Sequence, residues 1–221
     1  VDNTAPSVDN FTLSDTALKV GDTATVTLVF SEAVASFSSA ADITVANGTL
    51  ATMSSGNNVT WTGTFTPTAN TEDASNTLSL ATSYTDTAGN AGASATTANY
   101  AVETQAPTVS SVSTTADNQS LVSITDNITV TFSEAMESSY VTTNTSDTFC
   151  AGTIWVSSDN FSSCVKMSSS PSSSNSNRTF TLDPYDNLTS STTYKTRVTT
   201  GVKDTAGNAL SSQYETSSGF T

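Results

Sequence analysis

Thr27-Leu28-Val29-Phe30-Ser31-Glu32-Ala33-Val34 returns about 100 residues later as Thr129-Val130-Thr131-Phe132-Ser133-Glu134-Ala135-Met136, a spacing of one small domain. Apolar residues occupy every second position on the approach to each motif: Val26, Leu28 and Phe30 in the first, Ile128, Val130 and Phe132 in the second. That period belongs to a strand with one buried face. Working outward, Ala5-Pro6-Ser7-Val8 precedes the first motif as Ala106-Pro107-Thr108-Val109 precedes the second. Asp86-Thr87-Ala88-Gly89-Asn90 follows one, and Asp204-Thr205-Ala206-Gly207-Asn208 the other. Matched landmarks in one order describe two copies of one unit, residues 1–104 and 105–221, each long enough to bury its own core. Tandem modules of this kind serve as spacers or binding arrays.

The remaining apolar residues keep the same alternation, with Val59, Trp61 and Phe65 on one face and Phe180 and Leu182 on another. Turn chemistry separates them at Ala46-Asn47-Gly48, Ser55-Gly56-Asn57-Asn58 and Asp183-Pro184. Helical periodicity is nearly absent, so the expected fold is all-β: two tandem antiparallel β-sandwiches, one per repeat. Threonines alternating with the apolar positions form the wet faces of the strands. The second unit is longer through an insertion around Phe149 to Pro171, and the serine tract Ser168 to Ser176 reads as a mobile loop with nothing to bury.

Twenty acidic residues against six basic ones give a net charge of −14, which repels phosphate backbones and anionic lipid. Nucleic acid is therefore excluded as a partner, and no run of 18 apolar residues offers direct membrane insertion. The chain has no histidine, which removes Ser-His-Asp and Cys-His catalysis and the commonest transition-metal ligand. Cys150 and Cys164 are the only cysteines, and in an acidic, Ser/Thr-rich chain they fit one disulfide in an exported protein. They are expected on strands flanking a turn near Ser157 to Asn160. Trp61 reads as core, while Trp155 and Phe161 either cover a small satellite core or present a glycan or partner contact. Val1-Asp2-Asn3-Thr4-Ala5-Pro6 reads as a linker following another domain.

The Ala-Pro openings, Phe-Ser-Glu-Ala strand ends and Asp-Thr-Ala-Gly-Asn turns resemble bacterial immunoglobulin-like domains repeated in large surface proteins and adhesins. Asp2 to Pro6 is similar to the linker of one type. Phe149 to Phe161 and Thr193 to Asp204 are similar to a related type of surface-layer and giant repeat proteins. The resemblance spans essentially the whole chain. It implies a non-catalytic stalk or repeat at the bacterial cell surface or outside the cell, with neighbouring repeats or copies of itself as partners. A filament or surface-layer subunit is one alternative, and a glycan-binding or accessory module of a secreted enzyme is another. A surface glycan or protein receptor is the external partner those roles imply. In such sandwiches the loops carrying the acidic motifs lie at the end where the chain enters. Calcium is then the expected cofactor, held by Asp2, Glu32, Asp86 and Asn90 in the first unit and by Glu103, Glu134, Asp204 and Asn208 at the joint before the second. The alternative is a turn that needs no metal, with Asp capping the bend and Gly and Asn accepting positive φ.

Overall fold

Strict alternation at Val26, Leu28 and Phe30 produces the central strand of the first sandwich. The computed structural model describes residues 1–113 and 115–221, in two units, Val1–Gln105 and Ala106–Thr221. Unit 1 contains β1 (Val8–Leu13), β2 (Ala17–Leu18), β3 (Ala24–Phe30), a single helical turn α1 (Ser39–Asp42), β4 (Ile43–Val45), β5 (Gly48–Leu50), β6 (Thr60–Pro67), β7 (Glu72–Asn76), β8 (Leu78–Leu80), β9 (Ala95–Thr96) and β10 (Tyr100–Glu103). One sheet has the order β1-β3-β6-β5, and the facing strands form β4-β8-β9 and β2-β10-β7. Phe30, Phe65, Tyr84 and Tyr100 are fully buried between them. Phe30 meets Tyr84 at 4.8 Å between ring centres and Phe65 meets Tyr100 edge-on at 5.2 Å, geometries that add to the value of burial alone. Trp61 is half-buried and packs against this core, its ring edge-on to Phe37 at 4.9 Å.

Unit 2 contains β11 (Val109–Ser113), β12 (Ile128–Phe132), a 3₁₀ turn (Ser138–Tyr140), β13 (Ile154–Ser157), β14 (Ser172–Ser174), β15 (Thr179–Leu182), β16 (Lys195–Val198) and β17 (Tyr214–Glu215). Its sheets run β11-β12-β15-β14 and β13-β16-β17. The correspondence with unit 1 extends to register. Val8 faces Phe30 with a register shift between Val8 and Asn10, and Val109 faces Phe132 with a register shift between Val109 and Ser111. Ser31 Oγ accepts the Ser7 N–H at 3.0 Å, as Ser133 Oγ accepts that of Thr108 at 3.0 Å.

Two expectations need correction. Part of the serine tract is not a loop: Ser172–Ser174 forms β14, paired with Thr179–Thr181 of β15. All three serines are exposed, so the strand is held by ladder hydrogen bonds of the backbone, which demand nothing apolar from the side chains. Neither cysteine lies on a strand. Cys150 and Cys164 are bonded with α-carbons 5.0 Å apart, but the return path after β13 is wound by Asp159. Its carboxylate accepts from Ser157 Oγ at 2.8 Å and from both the N–H and Oγ of Ser163, at 2.9 and 2.6 Å. Asn160 and Phe161 consequently take φ of 60° and 64°, which a strand cannot contain.

Candidate functional site

Asp86 begins the repeated turn of unit 1 and is buried to 2 % exposure. Its Oδ1 accepts the N–H groups of Ala88 and Asn90, both at 2.8 Å, and its Oδ2 accepts Asn90 Nδ2 at 2.7 Å. Gly89 sits at φ 94°, a conformation that glycine adopts without a Cβ penalty. The Asn90 side chain, followed by the turn's N–H groups, holds the Asp86 carboxyl below its ordinary range against the opposing effect of burial. Asn90 Nδ2 also donates to the Asp2 carbonyl at 3.3 Å. The Asp-Gly-Asn chemistry therefore closes the turn by itself, and Asn90 ties the incoming chain to it.

Asp2, Glu32 and Asp86 each place a carboxylate oxygen within 4.8 Å of the other two. Partial burial, then repulsion from Asp2 and Asp86, raises the Glu32 pKa, the response of a carboxylate short of counter-charge. A carboxylate offers about four lone-pair sites. Asp86 has committed three of them to N–H donors. Glu32 and Asp2 thus hold most of the remaining acceptor capacity, the latter accepting the Thr4 N–H at 2.9 Å. Asn90 turns its NH₂ toward Asp86, leaving only its Oδ1 chemically able to ligate a cation.

Unit 2 builds the same turn. Asp204 Oδ1 accepts from the Gly207 and Asn208 N–H groups at 2.6 and 2.8 Å, and Oδ2 accepts Asn208 Nδ2 at 2.9 Å. Asp204 and Asn208 are both buried. Glu134 is half-buried with a carboxylate oxygen within 4.8 Å of one on Asp204, as Glu32 stands to Asp86. Glu103 ends β10 in unit 1, where its Oε1 accepts the Gln105 N–H at 3.0 Å.

From sequence, Trp155 and Phe161 suit either a satellite core or an exposed contact. The structure places the Arg197 guanidinium 3.7 Å from the Phe161 ring centre and 5.6 Å from that of Trp155. Arg197 Nε and its terminal nitrogen both reach Glu215 Oε2, at 3.0 and 2.8 Å. The inserted loop is therefore fastened onto the outer face of β13-β16-β17 through a cation and two rings. No spacing in the sequence announced Arg197 as their partner, because it comes from a strand 36 residues beyond Phe161.

Two family profiles, each described as a bacterial Ig-like domain, match residues 2–102 and residues 103–221. No curated protein matches the chain. Among solved structures, the N-terminal part of the bacterial S-layer protein SbsC is similar at 23 % identity over 52 % of this chain and 23 % of that one, with a TM-score of 0.37. The Escherichia coli adhesin FdeC is similar at 11 % identity over 96 % of this chain and 63 % of its own, with a TM-score of 0.49. The present chain thus spans less than a quarter of that S-layer chain. The second profile alone covers more than half of the 221 residues, and the chain belongs to the bacterial Ig-like domain family as two such domains in tandem.

Proposed function

We propose that these 221 residues are a non-catalytic structural repeat pair of a bacterial extracellular or cell-surface protein, acting as a spacer between neighbouring repeats. The observation that carries this reading is duplication at the level of register: the same order in the four-stranded sheet, the same register shift and the same Asp-closed turn occur in both units. A binding site needs to be built once, whereas a spacer gains from repetition. The disulfide fits an oxidising compartment. Force spectroscopy on the whole chain tests the role, with two separate unfolding events expected. Reductant should lengthen one of them by about 50 Å, the reach of the 14-residue span that the disulfide hides. A single event, or specific binding on a glycan array, would defeat the spacer reading.

We further propose that calcium is the cation for the acidic end of unit 1. The convergence of Asp2, Glu32 and Asp86 supports this, as does the raised pKa of Glu32. The group bound there would neutralise three converging carboxylates and leave the turn's hydrogen bonds intact. Calcium calorimetry on the chain and on Glu32→Gln tests it, since this change keeps the Asp86 turn. Heat lost in the variant is expected, and no heat from the unmodified chain removes the metal.

A further inference from the structure

Asn47-Gly48 is the only Asn-Gly pair in the chain. It lies in the turn between β4 and β5, and the packing around it prescribes both residues. A β-carbon on Gly48 would lie 2.1 Å from the fully buried Phe65 ring, so no larger residue fits there. Asn47 takes φ of 46°, a region in which asparagine and aspartate are enriched among non-glycine residues. Its side chain decides between them. Asn47 Nδ2 donates to Asp73 Oδ2 at 2.8 Å and to Asn76 Oδ1 at 2.7 Å. Asn76 gives its own Nδ2 to the carbonyls of Asp73 and Tyr100, at 2.9 and 3.1 Å, which leaves only its oxygen for Asn47. Position 47 therefore needs a donor between two acceptors, and a carboxylate there would have nothing to give.

An asparagine followed by glycine is also the pair most prone to lose its amide, because no side chain on the second residue shields that residue's nitrogen. The Gly48 nitrogen gives up its proton and attacks Asn47 Cγ, a C–N bond forms, and Nδ2 departs with a proton as ammonia. Water then opens the resulting succinimide at either carbonyl and leaves aspartate or isoaspartate at position 47. Neither an oxidant nor an enzyme is required. In the closed turn the reaction is held back: Nδ2 is tied across to β7, and the Asn47 carbonyl accepts the Thr68 N–H at 2.9 Å. Opening of the turn frees the side chain to reach its neighbour.

We propose that Asn47 is a modification site, where hydrolytic loss of the amide during openings of the β4–β5 turn converts its lock on β7 into a repulsion and bars the turn from closing again. The product carboxylate stands where the amide stood, against the Asp73 carboxylate and the Asn76 oxygen, and like charges so placed disfavour one another. Asn76 is 3 % exposed and faces Tyr100 of β10, so the disturbance enters the core of unit 1. Unit 2 has no such point. Ile154 faces Val198 as Ile43 faces Leu80, so the residue four places on is Ser158 where unit 1 has Asn47, and it lies within the disulfide-bearing insertion.

The test ages the full chain in warm, mildly alkaline buffer made with heavy-oxygen water and follows each asparagine by peptide mapping. Conversion should be fastest at Asn47, ahead of Asn58 and Asn160, which share its positive φ but precede Val59 and Phe161. Tyr100→Phe, which removes the hydroxyl bond to the Ala46 carbonyl and so loosens the turn, should speed it about fivefold. The aged fraction, separated by its added negative charge, should unfold in unit 1 roughly 5–10 °C lower, read through Trp61 in a Trp155→Phe background. Asn47→Asp should reproduce that shift. Adding Asp73→Asn should recover part of it, since the new amide can donate to position 47 while its oxygen keeps the Ser75 N–H that Asp73 Oδ1 accepts at 2.9 Å. Conversion at Asn47 no faster than at Asn58 and Asn160, or unchanged by Tyr100→Phe, would overturn the site. An unshifted midpoint in the aged fraction, or no recovery with Asp73→Asn, would overturn the repulsion.

Discussion

Tyr84 of unit 1 projects its ring across the turn, so that a β-carbon placed on Gly92 would lie 2.1 Å from it. The same two positions in unit 2 are Val202 and Leu210, both buried. The backbone pairing is kept, with Gly92 donating to the Tyr84 carbonyl at 3.0 Å and Leu210 to that of Val202 at 3.3 Å. Large-and-none has become medium-and-large across one hydrogen bond. What the units share is thus a backbone frame and a filled volume, while individual side chains are exchangeable in pairs. They also differ in fastening. Unit 1 relies on the Phe30, Phe37 and Tyr84 rings, whereas unit 2 adds a disulfide and the Arg197 clamp.

The sharpest way to break this comparison is Phe30→Ala against Phe132→Ala. Both side chains are buried at matched register positions, so each should cost its own unit about 3–5 kcal/mol. One tryptophan per unit, Trp61 and Trp155, lets urea titrations of Trp155→Phe and Trp61→Phe backgrounds report each unit alone. A large loss in one unit with none in the other would dissolve the equivalence.

Reducing Cys150–Cys164 should lower the stability of unit 2 by about 3 kcal/mol on the chain-entropy account and leave unit 1 unchanged. The same titrations with and without reductant decide it; an equal effect on both units would show that they do not unfold separately.

Gly92→Leu should destabilise unit 1 by about 1–3 kcal/mol by driving a side chain into Tyr84. Adding Tyr84→Val, which imports the unit 2 pair, should recover part of the loss despite removing the Tyr84 hydroxyl bond to the Ala93 carbonyl at 2.8 Å. If the double variant is no better than the single one, the two positions do not share a volume.

Acid should separate the units most gently. Hydrogen bonds led by the Ser217 hydroxyl draw Asp117 down to about 2, and those led by Ser163 draw Asp159 to about 2. Both carboxyls bind protons less readily folded than unfolded, so their contribution to unit 2 is present above about pH 4 and is lost as the pH falls toward 2. In unit 1 the lowered Asp86 shares that sign, but Glu32 has the opposite one and offsets it. Its raised pKa means that protonation near and below its ordinary range relieves the folded state. Urea midpoints of both units between pH 6 and pH 2.5 check this, with unit 2 expected to weaken more steeply over the lowest part of that range. Asp117→Asn should flatten that dependence.

The amino-acid sequence alone determined the duplication, the strand phase and the turn chemistry. Period-two burial at Val26, Leu28 and Phe30 is written residue by residue, and an Asp followed four residues later by Asn needs only local geometry to close its turn. Other features were decided by tertiary structure, because they depend on what arrives from far along the chain. Ser172–Ser174 is a strand because β15 offers a backbone edge, which leaves no trace in serine side chains. Phe161 tolerates its positive φ under the Arg197 guanidinium. Gly92 is glycine because a ring from Tyr84 fills its side-chain space. Local pattern fixes which face of a strand is buried; which edges meet, and which volumes remain to be filled, is settled only when distant segments pack.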